Sequence, residues 1–277
     1  MNELTAQIPA IRRARGWRLY TENGRRLLDF YQDQGRGVMG WKADGAARLA
    51  KALLDKALTA PYPSVWQKRL ERAVLAWKPA FASVLVFDNE TEAEQVFRNL
   101  SGVLGVVSND TGPFAALEMP FAEFLPNNGQ DSGLLKNSKK LAIARLPLAR
   151  SLAPGILLLS KDASQELQAC GKLPPQAPVA AFKLGSAVKS LQSLAAFHEK
   201  YQQALWTKID PFIENLFSRK GPWLFPVYPA LEHRSVFLNC LASGILISPA
   251  YDFPSLIPGE FDLGEIKVLA DIARPGQ

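Results

Sequence analysis

Short apolar runs alternate along this chain with stretches in which apolar residues recur every three or four positions. The second pattern predicts helices, and they cover 46–58, 65–77, 92–100, 186–217 and 263–273. The compact apolar runs predict strands at 84–87, 103–107, 155–160, 179–182, 223–227, 236–240 and 245–248. Helices that alternate with short strands, followed by a mixed C-terminal part, indicate an α/β class protein.

A β-hairpin is predicted close to the start of the chain. The strands cover 17–20 and 26–30, and Asn23-Gly24 lies between them. Both residue types tolerate positive φ, as tight hairpin turns require. Three further glycines, Gly35, Gly37 and Gly40, precede the first helix.

Composition narrows the class of protein without identifying a chemistry. The 277 residues are 48% hydrophobic and 21% charged, which are ordinary globular values. No apolar run reaches the roughly 18 residues that span a bilayer, and residues 1–10 do not resemble a signal peptide. Two cysteines provide neither a disulfide framework nor a metal site. We therefore expect a cytoplasmic protein that does not act at a membrane.

The net charge of +6 is spread over the chain rather than concentrated. The densest basic cluster, Lys136-Asn-Ser-Lys139-Lys140, contains no aromatic residues that could stack on bases. A solvated surface explains this distribution better than nucleic-acid binding does. A basic surplus also suits a protein that collects phosphate and carboxylate ligands.

The N-terminal order of Gly16, a hairpin, Leu28-Asp29-Phe30 and a glycine-dotted loop resembles the signature of a known enzyme family. That family is the class III aminotransferases of the acetylornithine and ornithine type, which are pyridoxal-phosphate enzymes of fold type I. The resemblance implies an abbreviated α/β fold with a central, mostly parallel sheet and a smaller C-terminal α+β domain. It also implies domains at 1–45, 46–185 and 186–277, a homodimer and a small amino substrate.

Pyridoxal phosphate requires a lysine that forms an imine with it. Residues 154–161 resemble the family strand that delivers this lysine, which assigns the catalytic role to Lys161. Gly155 stands where the family has aspartate, and the glycine-rich turn expected after the lysine is absent. Lys183 is the competing lysine, and Lys161 is equally consistent with a surface lysine at a strand end.

The resemblance also suggests groups for the ring nitrogen and the phosphate. Residues 128–134 are similar to the family's acidic run, with Asp131 or, in another register, Asn128 at the position of the ring-nitrogen partner. Their composition also fits a simple turn. Asn89, Glu90 and Thr91 follow a strand and open a helix, as the family's phosphate-binding turn does. Glu90 replaces a glycine there, and an ordinary capped helix is the competing interpretation.

Two functions follow from this resemblance. The first is a pyridoxal-phosphate-dependent aminotransferase that moves an amino group between an amino compound and a 2-oxo acid. The alternative is a degenerate, non-catalytic homologue that acts as a binding or dimeric interaction protein. The substitutions at positions 90 and 155 favour the alternative, whereas the strand that ends in Ser160-Lys161 favours the enzyme.

Overall fold

The computed structural model describes residues 3–41, 45–106, 116–125, 140–198, 201 and 203–272. The chain divides into two compact units, one formed by Met1–Ala43 with Phe197–Gln277 and the other by Asp44–Ala196. The boundary predicted at 185/186 falls inside a helix, Ala181–His198. Over the described ranges, no helix is long and apolar enough to cross a membrane.

The unit that contains both termini is built on two small sheets. The first has the order β1-β2-β3-β10 and the second the order β11-β9-β8. The strands are β1 (Ile11–Arg15), β2 (Arg18–Thr21), β3 (Arg26–Asp29), β8 (Phe217–Lys220), β9 (Trp223–Pro226), β10 (Ile245–Leu246) and β11 (Ser255–Leu256). The antiparallel pairing of β2 with β3 confirms the predicted hairpin, and Gly24 in its turn has a φ of 82°.

A strained left-handed turn follows β3. In α1 (Gln32–Gly35), the residues Gln32, Asp33 and Gln34 have φ values of 47°, 44° and 61°. The buried carboxylate of Asp29 holds the start of this turn, because its Oδ1 accepts hydrogen bonds from the backbone N–H groups of Tyr31 and Gln32. Non-glycine residues adopt this conformation only where the surrounding structure imposes it.

The other helices of this unit have a single turn each, except for the ten-residue α9. They are α7 (Gln203–Trp206), α8 (Asp210–Ile213), α9 (His233–Ala242) and α10 (Leu263–Ile266). Single turns of 3-10 helix cover Glu3–Gln7, Thr207–Ile209, Ala230–Glu232 and Lys267–Leu269.

The unit Asp44–Ala196 contains the central sheet. Its strands are β4 (Ser83–Phe87), β5 (Leu117–Glu118), β6 (Leu141–Ala144) and β7 (Gly155–Leu159), in the order β4-β7-β6-β5. Its helices are α2 (Ala46–Leu54), α3 (Val65–Trp77), α4 (Glu90–Val103), α5 (Lys161–Ala169) and the part of α6 (Ala181–His198) up to Ala196, with a 3-10 turn at Ala122–Phe124.

The expectation of a mostly parallel central sheet is wrong for the described strands. β7 runs antiparallel to both β4 and β6, and only β5 and β6 pair in parallel. A parallel connection needs a crossover of about a dozen residues or more, usually with a helix. The link from β6 to β7 has no such helix, so β7 returns in the opposite direction.

One face of this sheet packs against α4 and α5 and forms a continuous apolar core. Leu85, Leu157 and Leu159 of the sheet belong to one buried apolar cluster with Leu100 of α4 and Leu167 of α5. Their alternation in β4 and β7 follows the two-residue period of a strand.

Several predicted elements are wrong in type or extent. The predicted strand at 179–182 overlaps the start of α6, the strand at 236–240 is α9, and Val103 ends α4 rather than beginning a strand. Short apolar runs do not separate a buried strand from a buried helix by periodicity alone. The predicted helix at 186–217 is divided, because α6 ends at His198 and α7 and α8 follow as separate short helices.

Candidate functional site

The sheet topology decides which candidate residues share one edge. Because β7 is antiparallel to both β4 and β6, those two strands run in the same direction. The residues that follow β4 and β6 therefore lie at one edge, together with the first residue of β7. We call this the carboxyl edge. The residue that follows β7 lies at the opposite edge.

The turn from β4 into α4 forms one part of the carboxyl edge. Asn89 is the N-cap of α4, and its Oδ1 accepts a hydrogen bond from the backbone N–H of Glu92 at 2.9 Å. The Oε2 of Glu92 accepts one from the backbone N–H of Asp88 at 3.2 Å. This reciprocal arrangement fixes the turn. It places Asn89, Glu90 and Thr91, the predicted phosphate-site residues, at the carboxyl edge.

Gly155 packs directly under this turn. A Cβ at position 155 would lie 2.1 Å from the carbonyl oxygen of Asn89 and 2.8 Å from the Cβ of Ala93. No side chain fits in that space without moving backbone. Glycine at this position is therefore explained by the close approach of the β4–α4 turn to β7.

An ion pair connects the β4–α4 turn to the residue that follows β6. Arg145 directly follows β6, and its Nε donates to the Oε1 of Glu90 at 3.3 Å. The two side chains are only 12% and 15% exposed. Sequence reasoning missed Arg145. The signal that could have found it is a basic residue at the end of the apolar run Leu141–Ala144, the same kind of signal that selected Lys161.

Lys183 also lies at the β4–α4 turn. Its Nζ donates to both the backbone oxygen and the Oδ2 of Asp88, each at 2.8 Å. The side chain of Lys183 is 16% exposed. Of the two lysines considered from the sequence, this is the one that the fold places beside the predicted phosphate-site residues.

The structure does not bring Lys161 together with those residues. In the β4–β7 register, Gly155 is opposite Phe87 and Leu159 is opposite Ser83, so Lys161 lies at the far edge of the sheet. At about 3.4 Å per residue, the length of β7 separates the two edges by roughly 17 Å. Ser160 is the N-cap of α5 and accepts from the backbone N–H of Ala163, so Lys161 is the exposed first residue of a helix.

Asp131 and Asn128, the alternative ring-nitrogen partners, lie outside the described residues. Glu118 in β5 is a described carboxylate residue that is hydrogen-bonded to Arg145 through the backbone. The carbonyl oxygen of Glu118 accepts from the backbone N–H of Arg145 at 2.7 Å, and its Oε2 forms an ion pair with Lys78 at 2.7 Å. Within the described ranges, no group of His, Cys, Asp and Glu side chains has the arrangement of a metal site.

Sequence comparison finds relatives but no function. No family model matches the chain. An uncharacterized protein of Borreliella burgdorferi is 27% identical over 263 residues, which cover 95% of this chain and 89% of the relative. One from Treponema pallidum is also 27% identical, over 291 residues that cover 92% and 91% of the two chains.

Comparison with solved structures is more informative. An ornithine aminotransferase from Plasmodium yoelii aligns with a TM-score of 0.66 at 12% identity, covering 95% of this chain and 92% of that one. This chain has an aminotransferase fold. An N-acetylornithine aminotransferase from Stenotrophomonas maltophilia aligns at 0.63 and 13% identity, covering 98% and 96%. An omega-transaminase from Sphaerobacter thermophilus aligns at 0.63 and 11%, covering 95% and 89%. At this identity, the comparisons support the class III resemblance at the level of the fold.

Proposed function

We propose that this chain is a non-catalytic protein with an aminotransferase fold, which acts by binding rather than by turnover. The ion pair between Glu90 and Arg145 is the observation that carries this proposal. The pair lies at the turn where the resemblance would place the phosphate of pyridoxal phosphate. In this chain, the Glu90 carboxylate and the Arg145 guanidinium occupy that turn.

The charge at this turn opposes a bound phosphate. Glu90 is the first residue of α4, so its carboxylate lies at the positive end of the helix dipole, where an anionic ligand would otherwise bind. Arg145 neutralises that carboxylate. A phosphate entering the turn would face a carboxylate at close range and would have to compete with it for the guanidinium.

Arg145 and Lys161 also fit pyridoxal phosphate poorly. The residue that follows β6 is an arginine, and a guanidinium stays protonated in proteins and does not form imines. Lys161 lies at the opposite edge. The described residues therefore do not fit pyridoxal phosphate in the combination that the sequence suggested.

A pyridoxal-phosphate-dependent aminotransferase is the second candidate, and the position of Lys183 favours it. This lysine lies against Asp88 in the same turn as Asn89. In that candidate, Lys183 would replace Lys161, and Asp131 or Asn128 would remain the proposed ring-nitrogen partner. The amino substrate and the homodimer that the resemblance implies stay predictions.

The test titrates purified protein with pyridoxal phosphate, follows imine absorbance, reduces with borohydride and maps the modified lysines by mass spectrometry. We expect no saturable absorbance band, with reduced adducts scattered over exposed lysines at high cofactor concentration. Stoichiometric modification of Lys183, lost in Lys183→Met and retained in Lys161→Met, would overturn the proposal in favour of the second candidate. Lys161→Met is the matched control because it removes the same charge at the far edge of the sheet.

A further inference from the structure

A cleft of about 340 Å³ opens between α2, α3 and α6, away from the carboxyl edge. Its polar lining is dominated by cations, and its apolar lining comes from all three helices. The lining includes Arg69, Arg72, Lys189, Trp66, Leu49 and Val188. We call it the cationic cleft.

The three cations of this cleft have no counter-charge in the described part of the chain. No carboxylate lines the cleft, and no ion pair of the described residues includes Arg69, Arg72 or Lys189. Arg69 and Arg72 are exposed and Lys189 is half-buried. The half-buried Arg219, by contrast, is paired with Asp210 at 2.5 Å. Three cations in one concavity without a counter-charge among the described residues produce a positive potential that a ligand anion would relieve.

Two of these cations already contact neighbouring groups of the protein. The guanidinium carbon of Arg69 lies 4.8 Å from the centre of the Trp66 ring, in cation–π contact. The stem of Lys189 lies against Gly45, where a Cβ would be only 2.8 Å from its Cε. Gly45 has a φ of 74° and leaves room for this stem. Contacts of this kind limit the conformations of a side chain and so reduce the entropy that it loses when it binds a ligand.

The contact with Gly45 also brings the charged end of Lys189 towards an electrostatically unfavourable position. Gly45 is the N-cap of α2, and it provides no side-chain hydrogen bond to the helix. The end of the stem that carries the ammonium therefore lies near the positive end of the α2 dipole. An anion in the cleft would reduce both the repulsion between the cations and the repulsion from the helix.

We propose that the cationic cleft binds a small phosphate-bearing anion. Two guanidinium groups and an ammonium match the geometry and charge of phosphate. The volume is near the lower end of the range for ligand pockets, which suits a compact molecule. This site is separate from the Glu90–Arg145 pair, so the inference holds whether or not the function proposed above is correct.

Isothermal titration calorimetry with inorganic pyrophosphate at low ionic strength tests the inference. We expect saturable binding to the wild type, and a loss of about ten-fold or more in affinity for the combined variant Arg69→Gln, Arg72→Gln and Lys189→Gln. A control with Arg98→Gln, Lys172→Gln and Lys208→Gln removes the same charge from exposed sites elsewhere, and we expect it to bind within about two-fold of the wild type. Circular dichroism and Tm values establish that both variants are folded.

Three outcomes would overturn this inference. They are no saturable heat with pyrophosphate, an equal loss in both variants, or citrate binding as tightly as pyrophosphate. A further arm sediments the protein with vesicles that contain phosphatidic acid. Vesicle capture that depends on the three cleft cations, without binding of free pyrophosphate, would assign the phosphate to a lipid headgroup and contradict a small soluble ligand.

Discussion

The carbonyl oxygen of Asn89 packs directly on Gly155. This contact joins the β4–α4 turn to the first residue of β7, and it leaves no space for a Cβ on the glycine. The packing at the carboxyl edge of the sheet therefore requires glycine at position 155.

We expect Gly155→Ala to lower the free energy of unfolding by about 3 kcal/mol, because the added methyl group would lie 2.1 Å from a backbone oxygen. Chemical denaturation measures the change. Gly102→Ala is the matched control, since Gly102 lies within α4 and a Cβ there meets nothing within 4 Å. That substitution should be neutral or stabilising by up to about 1 kcal/mol. Equal effects at the two positions would contradict the packing argument.

The Glu90–Arg145 pair should show a measurable coupling energy. The side chains are largely buried and 3.3 Å apart, so solvent screens them less than a surface pair. A double-mutant cycle with Glu90→Gln and Arg145→Met should give a coupling of about 1–3 kcal/mol. The same cycle on the exposed pair Lys140–Glu166, with Lys140→Met and Glu166→Gln, should give less than about 1 kcal/mol. A coupling energy near zero would contradict the proposal that the Glu90–Arg145 ion pair takes the place of a bound phosphate.

The buried Asp29 should make stability decrease as pH rises. Burial raises the pKa of Asp29 from 3.8 to about 6, although hydrogen bonds from Gln32, Trp41 and Tyr31 oppose this effect. Between these values the folded state binds more protons than the unfolded state, so its stability falls as pH increases from about 4 to about 6. The difference of about 2.2 in pKa corresponds to about 3 kcal/mol at about 1.36 kcal/mol per pKa unit.

Urea unfolding of the wild type and Asp29→Asn across this pH range isolates the contribution of Asp29. We expect the difference in unfolding free energy between the two proteins to change by about 2.4 kcal/mol from pH 4 to pH 7, in favour of the variant at higher pH. A difference that stays constant with pH would show that Asp29 titrates alike in the folded and unfolded chains.

The left-handed turn of α1 offers a site for stabilisation. Gln34 has a φ of 61°, a conformation that glycine adopts without steric penalty. Gln34→Gly should therefore raise the free energy of unfolding by about 1 kcal/mol. Gln95→Gly, at an exposed position in α4, should lower it by about 1 kcal/mol. Thermal unfolding of the two variants gives opposite shifts in Tm if the strain is real.

Local signals in the sequence were sufficient for the hairpin and for the start of α4. Asn23-Gly24 specifies its own turn, and the Asn89 side chain caps the helix that follows it. Such features depend on residues a few positions apart, so they can be recognised in one sequence.

The arrangement of the carboxyl edge depends on non-local pairing instead. Glu90 and Arg145 are 55 positions apart, and their contact follows from the order and direction of the strands. The direction of β7 is what separates Lys161 from the β4–α4 turn. Ser160-Lys161 after an apolar run fits both a strand that delivers a lysine and the capped start of a helix, and no local feature distinguishes them.

The edge strand β1 has a consequence for how copies of this chain meet. Every residue of β1 is exposed, and among the described strands it pairs only with β2, so its outer backbone groups are a template for another strand. Arg12, Arg13 and Arg15 place three like charges along this short edge. A second β1 that approached it would bring arginine against arginine. These charges therefore protect the molecule from edge-to-edge aggregation during folding and at high concentration.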